Sequence, residues 1–316
     1  MGLVIGTDEA GYGPNLGPLV ITATAWRVPG DPRDFDFWSA LEEVVTNEPR
    51  RSSGRLHVAD SKQVYSPSKG LRELERSVLA LLSLAGTVPE CFRTLCRQVT
   101  GVDASDLLNV EPWFVDANQM LPVSCAAADM PGLATGLQDT CADVGIQLEA
   151  VRSEIVLTER FNRLTAKYDS KGAALSRLTL GLVRSVWDPD STERVLIISD
   201  KHGGRNRYDD LIDEQLDGQM IFRVRESRQK STYRIGKTDM HFQQGAERHF
   251  PAAVSSMVCK YVRELSMELF NRFWQHHIPD LRPTKGYPTD AKRFRADIAE
   301  TQRKLGIPNN TLWRKR

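Results

Sequence analysis

The chain has 316 residues, 41% hydrophobic, 26% charged and 8% aromatic, close to the averages of soluble globular proteins, which excludes wholesale disorder and a fibrous repeat. Its 42 basic and 41 acidic residues leave a net charge of +1, so any affinity for a polyanion must come from a local surface rather than from the field of the whole molecule. The five cysteines (Cys91, Cys96, Cys125, Cys141, Cys259) contain no CxxC pair, and no charged segment followed by an apolar one opens the chain; free thiols and a cytoplasmic location are expected.

In chain order, Gly2 to Asp8 is a short apolar run ending on polar residues, and Pro18 to Trp26 is rich in β-branched side chains. They read as two strands joined by a glycine-rich turn. Ser66-Pro67 ahead of apolar residues at helical spacing predicts a helix over 66–84. From about 89 to 145 the periodicity weakens, and an insertion or small subdomain is expected there. A strand is predicted over 149–159, then a helix whose buried face carries Leu175, Leu178, Leu182, Val183 and Val186. Val195 to Ile198 has the apolar continuity of a strand covered on both faces, and it ends on Ser199-Asp200. Strands are predicted over 220–225, 231–235 and 240–243, the last two joined through Gly236-Lys237-Thr238-Asp239, before Phe250-Pro251 opens an amphipathic helix to about 276. Helix and strand signals interleave throughout, which defines an α/β fold with a mixed sheet.

Asp8 and Asp200 both stand just past apolar strand cores, where open α/β sheets place their sites. Converging carboxylates at such a place suit hard divalent cations, which prefer oxygen ligands and can bridge a phosphodiester. Each acid alone reads equally well as a cap or turn residue. Gly11, Gly13 and Gly17, interleaved with Pro14 and Pro18, form a stretch where few side chains keep a ligand from the backbone.

The segment Gly6-Thr7-Asp8-Glu9-Ala10-Gly11-Tyr12-Gly13-Pro14-Asn15-Leu16-Gly17-Pro18-Leu19-Val20 closely resembles the opening of type 2 ribonucleases H, the ribonuclease HII class. The resemblance continues in order through Asp60-Ser61-Lys62, Asp200, the run Ser255 to Glu264, and Lys285-Gly286-Tyr287-Pro288-Thr289. It implies a ribonuclease H-like mixed five-stranded sheet with helices on both faces, in a catalytic domain over 1–275 with the insertion at 89–145. A C-terminal extension over 276–316 then carries the Gly-Tyr-Pro-Thr element. The implied activity is hydrolysis of the RNA strand of RNA/DNA hybrids, or of ribonucleotides embedded in duplex DNA, with two Mg²⁺ or Mn²⁺ ions. Neither a membrane nor a protein partner is implied, and a monomer is expected.

By the same resemblance Asp8, Glu9 and Asp200 fall on three of four metal-binding acids. Two residues compete for the fourth place: Glu247, four residues before Pro251, is favoured over Asp239, which also reads as a turn residue. Gly11, Tyr12, Gly13, Lys62 and Tyr287 fall on substrate-contacting positions. The family carries Gly-Arg-Gly or Gly-Lys-Gly where this chain has Gly11-Tyr12-Gly13, so a phosphate-neutralising cation is missing and Tyr12 is expected to stack on a sugar or base. His202 is a candidate proton carrier, and Lys260 and the tail Trp313-Arg314-Lys315-Arg316 are candidate phosphate contacts. Two other readings remain, a non-cleaving binder on this scaffold and a nuclease acting on other nucleic-acid structures.

Overall fold

Strand β1 (Gly2–Ala10) is buried on both sides, with Leu3 and Ile5 packing into one hydrophobic cluster and Val4 into another. A strand that must satisfy two cores carries apolar residues at successive positions, and this accounts for the unbroken run read in the sequence. The computed structural model describes residues 1–48, 54–115, 118–216 and 218–315. β2 (Leu19–Val28) returns antiparallel to β1, and β3 (Gln147–Val156) pairs antiparallel with β2. β4 (Arg194–Asp200) lies parallel to β1 on its other side, and the sheet continues through β5 (Ile221–Arg225), β6 (Lys230–Ile235) and β7 (Thr238–Gln243). The spatial order is β3-β2-β1-β4-β7-β6-β5, with β7 parallel to β4 and the β5–β6 hairpin antiparallel outside it.

The sheet is mixed, as expected, but it has seven strands rather than five. β3, β2, β1, β4 and β7 supply five; the hairpin adds two at the edge, pairing the row of backbone groups that β7 would otherwise expose. The turn before β7 is also tighter than expected: only Gly236 and Lys237 separate β6 from β7, and Asp239 is already inside β7 opposite Arg234.

Helices cover both faces. Those that position the site are α1 (Ser61–Val64), α2 (Arg72–Leu82), α3 (Phe92–Thr100), α4 (Met130–Asp143), α5 (Thr158–Tyr168), α6 (Lys171–Arg184), α7 (Asp209–Gln215), α8 (Phe250–His277) and α9 (Pro288–Lys304). α5, α6 and α7 pack on the Leu3/Ile5 face through Phe161, Leu175, Leu182 and Ile212. α8 lies across the Val4 face, burying Val254, Val258, Val262, Leu265 and Phe270; each such side chain contributes roughly 1.5–3 kcal/mol. The entry of α8 presses on β1 at Gly6, where a Cβ would stand 2.2 Å from the Ala252 nitrogen, so only glycine permits this approach. Ser255 Oγ then donates to the Gly6 carbonyl at 2.8 Å, fixing helix to strand.

The helix expected over 66–84 begins only at Arg72. Ser66 instead starts a turn whose carbonyl accepts from Lys69 and Gly70, and Gly70 adopts φ +73°, which ends it. The stretch 89–145 contains α3 and α4, and its Phe92, Leu95, Phe114 and Leu137 belong to the same buried cluster as α8. In the C-terminal stretch, Phe294 and Ile298 of α9 join that cluster too. Among the described residues no helix is long and apolar enough to cross a membrane.

Candidate active site

β1 and β4 run parallel in register from Gly2↔Arg194 to Thr7↔Ser199, so Asp8 and Asp200, the next residue on each strand, stand side by side at one end of the sheet. Thr7 Oγ1 donates to Ser199 Oγ at 2.7 Å just beneath them. Glu9 follows in β1. Glu247 arrives from a single 3₁₀ turn, Ala246–Arg248, that precedes α8. The four acids sense one another: Asp200 and Glu247 each raise the pKa of both Asp8 and Glu9. Burial is the larger cause, and together these effects carry Asp8 up to about 7 and Glu9 up to about 8. Asp200 and Glu247 are likewise raised, chiefly by burial.

Asp239 lies elsewhere. It pairs with Leu196, four residues before Asp200 in β4, hence about 13 Å along the sheet at roughly 3.3 Å per residue. Its carboxylate is buried between Arg234 at 2.8 Å and Arg33 at 3.8 Å, an ion-pair role that leaves it out of the acid group.

The donor set suits a hard divalent cation. Asp200 Oδ1 is buried and accepts no hydrogen bond, although the N–H groups of Lys201, Ala246 and Gly245 favour the ionised carboxyl. An acceptor buried without a donor is costly unless a cation satisfies it. Cys259 turns its Sγ to the Asp8 carbonyl and to Thr22 Oγ1 rather than to the acids. Among the described residues no three His, Cys, Asp or Glu side chains stand at metal-holding spacing.

Around this group the predicted contact residues take distinct places. Lys62, in the first turn of α1, has its pKa raised by Asp60 first and, burial opposing, by Asp8, Glu247 and Asp200, so its ammonium belongs to the acid cluster. Ser61 Oγ meets Ser256 Oγ at 3.1 Å, and the Ser256 hydroxyl also hydrogen-bonds Asp8, joining α1, α8 and β1. Gly13 is exposed, with open space where a Cβ would be. Tyr287 is 55% exposed beside the glycine loop, to which Gly286 is tied by the Asn15 N–H at 2.7 Å.

Tyr12 departs from its expectation in part. Its ring is partly buried against the α6 core cluster, and Lys171 Nζ stands 4.9 Å over the ring and 3.3 Å from the Tyr12 carbonyl. Lys171 opens α6 behind its cap Ser170, and Arg205 lies close enough to act on the Tyr12 hydroxyl. Two elements outside the loop thus bring positive charge next to Tyr12. Tyr12, Ser170, Gly172, Arg205 and Arg207 line a cleft of about 570 Å³.

Three other expectations are corrected. His202 is buried against Tyr208 and Phe242, its Nδ1 3.0 Å from Ser176 Oγ, and burial pushes its pKa down to about 3; it is a core histidine with no proton to carry near neutrality. Lys260 is bound to Glu264 at 2.7 Å and lies over the Tyr65 ring, so its charge is used internally. Arg314 is fully buried beneath the glycine loop, donating to the carbonyls of Gly11 at 2.6 Å and Gly17 at 3.2 Å, while stacking on Phe161. Arg316 lies outside the described residues.

Fold and site define an α/β protein that gathers four acids at one end of a mixed sheet. A scan against protein-family models finds no match, and a search of curated proteins finds none. Among solved structures the chain is similar to Archaeoglobus fulgidus ribonuclease HII in its complex with PCNA, at 12% identity and a TM-score of 0.43, over 99% of this chain and 94% of that one. It is similar to ribonuclease H2 of Pyrococcus horikoshii OT3, at 14% identity and a TM-score of 0.39, over 98% and 92% of the two chains. A third is ribonuclease H3 of Aquifex aeolicus, at 13% identity and a TM-score of 0.40, over 99% of this chain and 71% of that one.

Proposed function

We propose that this protein is a divalent-metal-dependent endonuclease that hydrolyses the RNA strand of RNA/DNA hybrids or ribonucleotides embedded in duplex DNA. The observation that carries the reading is the meeting of Asp8, Glu9, Asp200 and Glu247 at one sheet end, with a buried Asp200 oxygen lacking any donor. These four residues would hold two Mg²⁺ or Mn²⁺ ions. When bound, the ions supply Lewis acidity at the phosphate and a water that is nucleophilic at neutral pH.

The remaining work belongs to the chain. Gly13, where a Cβ would meet open space, leaves the loop open to a sugar-phosphate backbone, and Lys171 and Arg205 place positive charge beside Tyr12. The exposed Tyr287 ring offers a stacking surface for a nucleotide beyond the cut, and Lys62 offsets charge gathered at the acids. Products with 3′-hydroxyl and 5′-phosphate ends follow from the motif resemblance.

The test is cleavage of a duplex carrying a single ribonucleotide, and of a continuous hybrid, by the purified protein with Mg²⁺ or Mn²⁺. Binding without cleavage under both ions would refute the enzyme reading.

A further inference from the structure

The β5–β6 hairpin has no part in the chemistry above, yet its position relates it to the acids. Asp200 pairs with Gln243, and Gln243 with Lys230, so the hairpin turn at 226–229 projects at the acid end of the sheet. With neighbouring strands about 4.8 Å apart, Lys230 lies about 10 Å and the β5 strand about 14 Å from the Asp200 strand. The turn is fixed there by the residue that follows Asp200: Lys201 Nζ donates to the Ser227 carbonyl at 2.6 Å and reaches Ser231 Oγ at 3.1 Å.

Charge on this hairpin is one-sided. Residues 223–230 hold Arg223, Arg225, Arg228 and Lys230 against the single acid Glu226. Arg223 is engaged by Asp209 and Glu226, whereas Arg225 and Arg228 are exposed and meet no acid among the described residues. Burial first and the neighbouring Arg225 second hold the Lys230 ammonium below its usual pKa, against an opposing pull from Asp239. Arg207, 76% exposed in its side chain and 3.5 Å from Glu226, lines the cleft beside Tyr12.

We propose that the β5–β6 hairpin is a second grip on the phosphate backbone of a nucleic-acid duplex, made by Arg225, Arg228 and Lys230. The 10–14 Å offset corresponds to three or four nucleotide steps at about 3.4 Å each, so this grip meets the duplex arm beyond the nucleotides at the acids. It rests on the nuclease reading for the choice of a duplex. Phosphate contacts of this kind position a duplex without reading its sequence. Phe222 and Val224, 55% and 57% exposed, alternate with the arginines along β5, and a protein docked on them is the competing occupant.

The experiment is fluorescence anisotropy of a labelled RNA/DNA hybrid titrated with the full chain in EDTA, over a series of KCl concentrations. Replacing Arg225, Arg228 and Lys230 together by Ala should weaken binding at least about tenfold and flatten the slope of log affinity against log salt by about 2 to 3. Arg228→Glu, confined to the turn, provides a second variant and should also weaken binding. Arg225→Lys with Arg228→Lys should bind as wild type, as should Phe222→Ser with Val224→Thr. Unchanged affinity and slope in the triple variant would overturn the proposal, as would loss of duplex affinity confined to the Phe222/Val224 variant, or a wild-type protein that binds no duplex. Cleavage assayed in parallel separates the two claims. A cleaving wild type whose triple variant binds normally sinks only the hairpin; a non-cleaving wild type whose triple variant loses affinity sinks only the nuclease reading.

Discussion

The glycine loop follows the acids Asp8 and Glu9 in the chain, the β5–β6 hairpin lies two and three strands away from Asp200, and the two are built in opposite ways. The loop is held from below by two buried guanidinium groups from distant parts of the chain. Arg263 donates to Pro18 at 2.7 Å and Leu16 at 3.2 Å, and Arg314 to Gly11 and Gly17. Gly11 and Gly17 meet them in left-handed conformations, φ +92° and +78°. The hairpin is paired on one side only and shows Phe222, Arg223, Val224 and Arg225 to solvent. Carbonyls locked by buried cations keep one geometry, which suits placing a reacting backbone; exposed cations on an edge strand suit a polyanion whose path varies.

Glu247→Gln should lower hybrid cleavage by on the order of 100-fold or more, since a lost ligand forfeits several kcal/mol of transition-state stabilisation. Asp239→Asn should stay within a few-fold of wild type, because its partners are Arg234 and Arg33. The reverse ranking would move the fourth ligand to Asp239. Arg314→Ala would leave buried carbonyls of the loop without donors, at a cost of about 3 kcal/mol in urea unfolding, together with reduced cleavage. An unchanged midpoint would show that the loop holds its shape without the tail.

Mg²⁺ or Mn²⁺ at about 100 times its Kd should stabilise the protein by roughly 2.7 kcal/mol, read as a higher Tm, and Asp200→Asn should abolish that gain. A further expectation concerns pH. Glu264 is buried, which opposes ionisation, yet Lys260 and Lys285 pull its pKa down to about 2 from 4.5. Its contribution, on the order of 3 kcal/mol, is present above pH 4.5 and lost as pH falls toward 2. Glu264→Gln should flatten acid unfolding over that window and leave the profile at higher pH alone. Identical acid titrations for the two proteins would contradict the assignment.

Much of the centre was legible because strand burial writes itself into sequence. Val195 to Ile198 announced a central strand with Asp200 at its end, and Asp8 stands just past the apolar core of β1, two residues before that strand stops. The spacing of Glu247 to Pro251 correctly put this acid at the entry of α8. Residues whose meaning depends on distant partners were not legible. Arg314 reads as a solvated basic tail until Phe161 and the loop carbonyls close around it, and His202 reads as a loop histidine until Tyr208 and Phe242 bury it. Lys171 left a weak local sign, a serine cap at the head of a helix, but nothing in the sequence placed it over Tyr12.

The most direct measurement is gel-resolved cleavage of a duplex containing one ribonucleotide, with Mg²⁺ and with Mn²⁺, by wild type and by Glu247→Gln. The account predicts a single metal-dependent cut at the ribonucleotide by wild type and near-complete loss in the variant. Binding of the intact duplex with no cut under either ion, or equal cutting by both proteins, would contradict it.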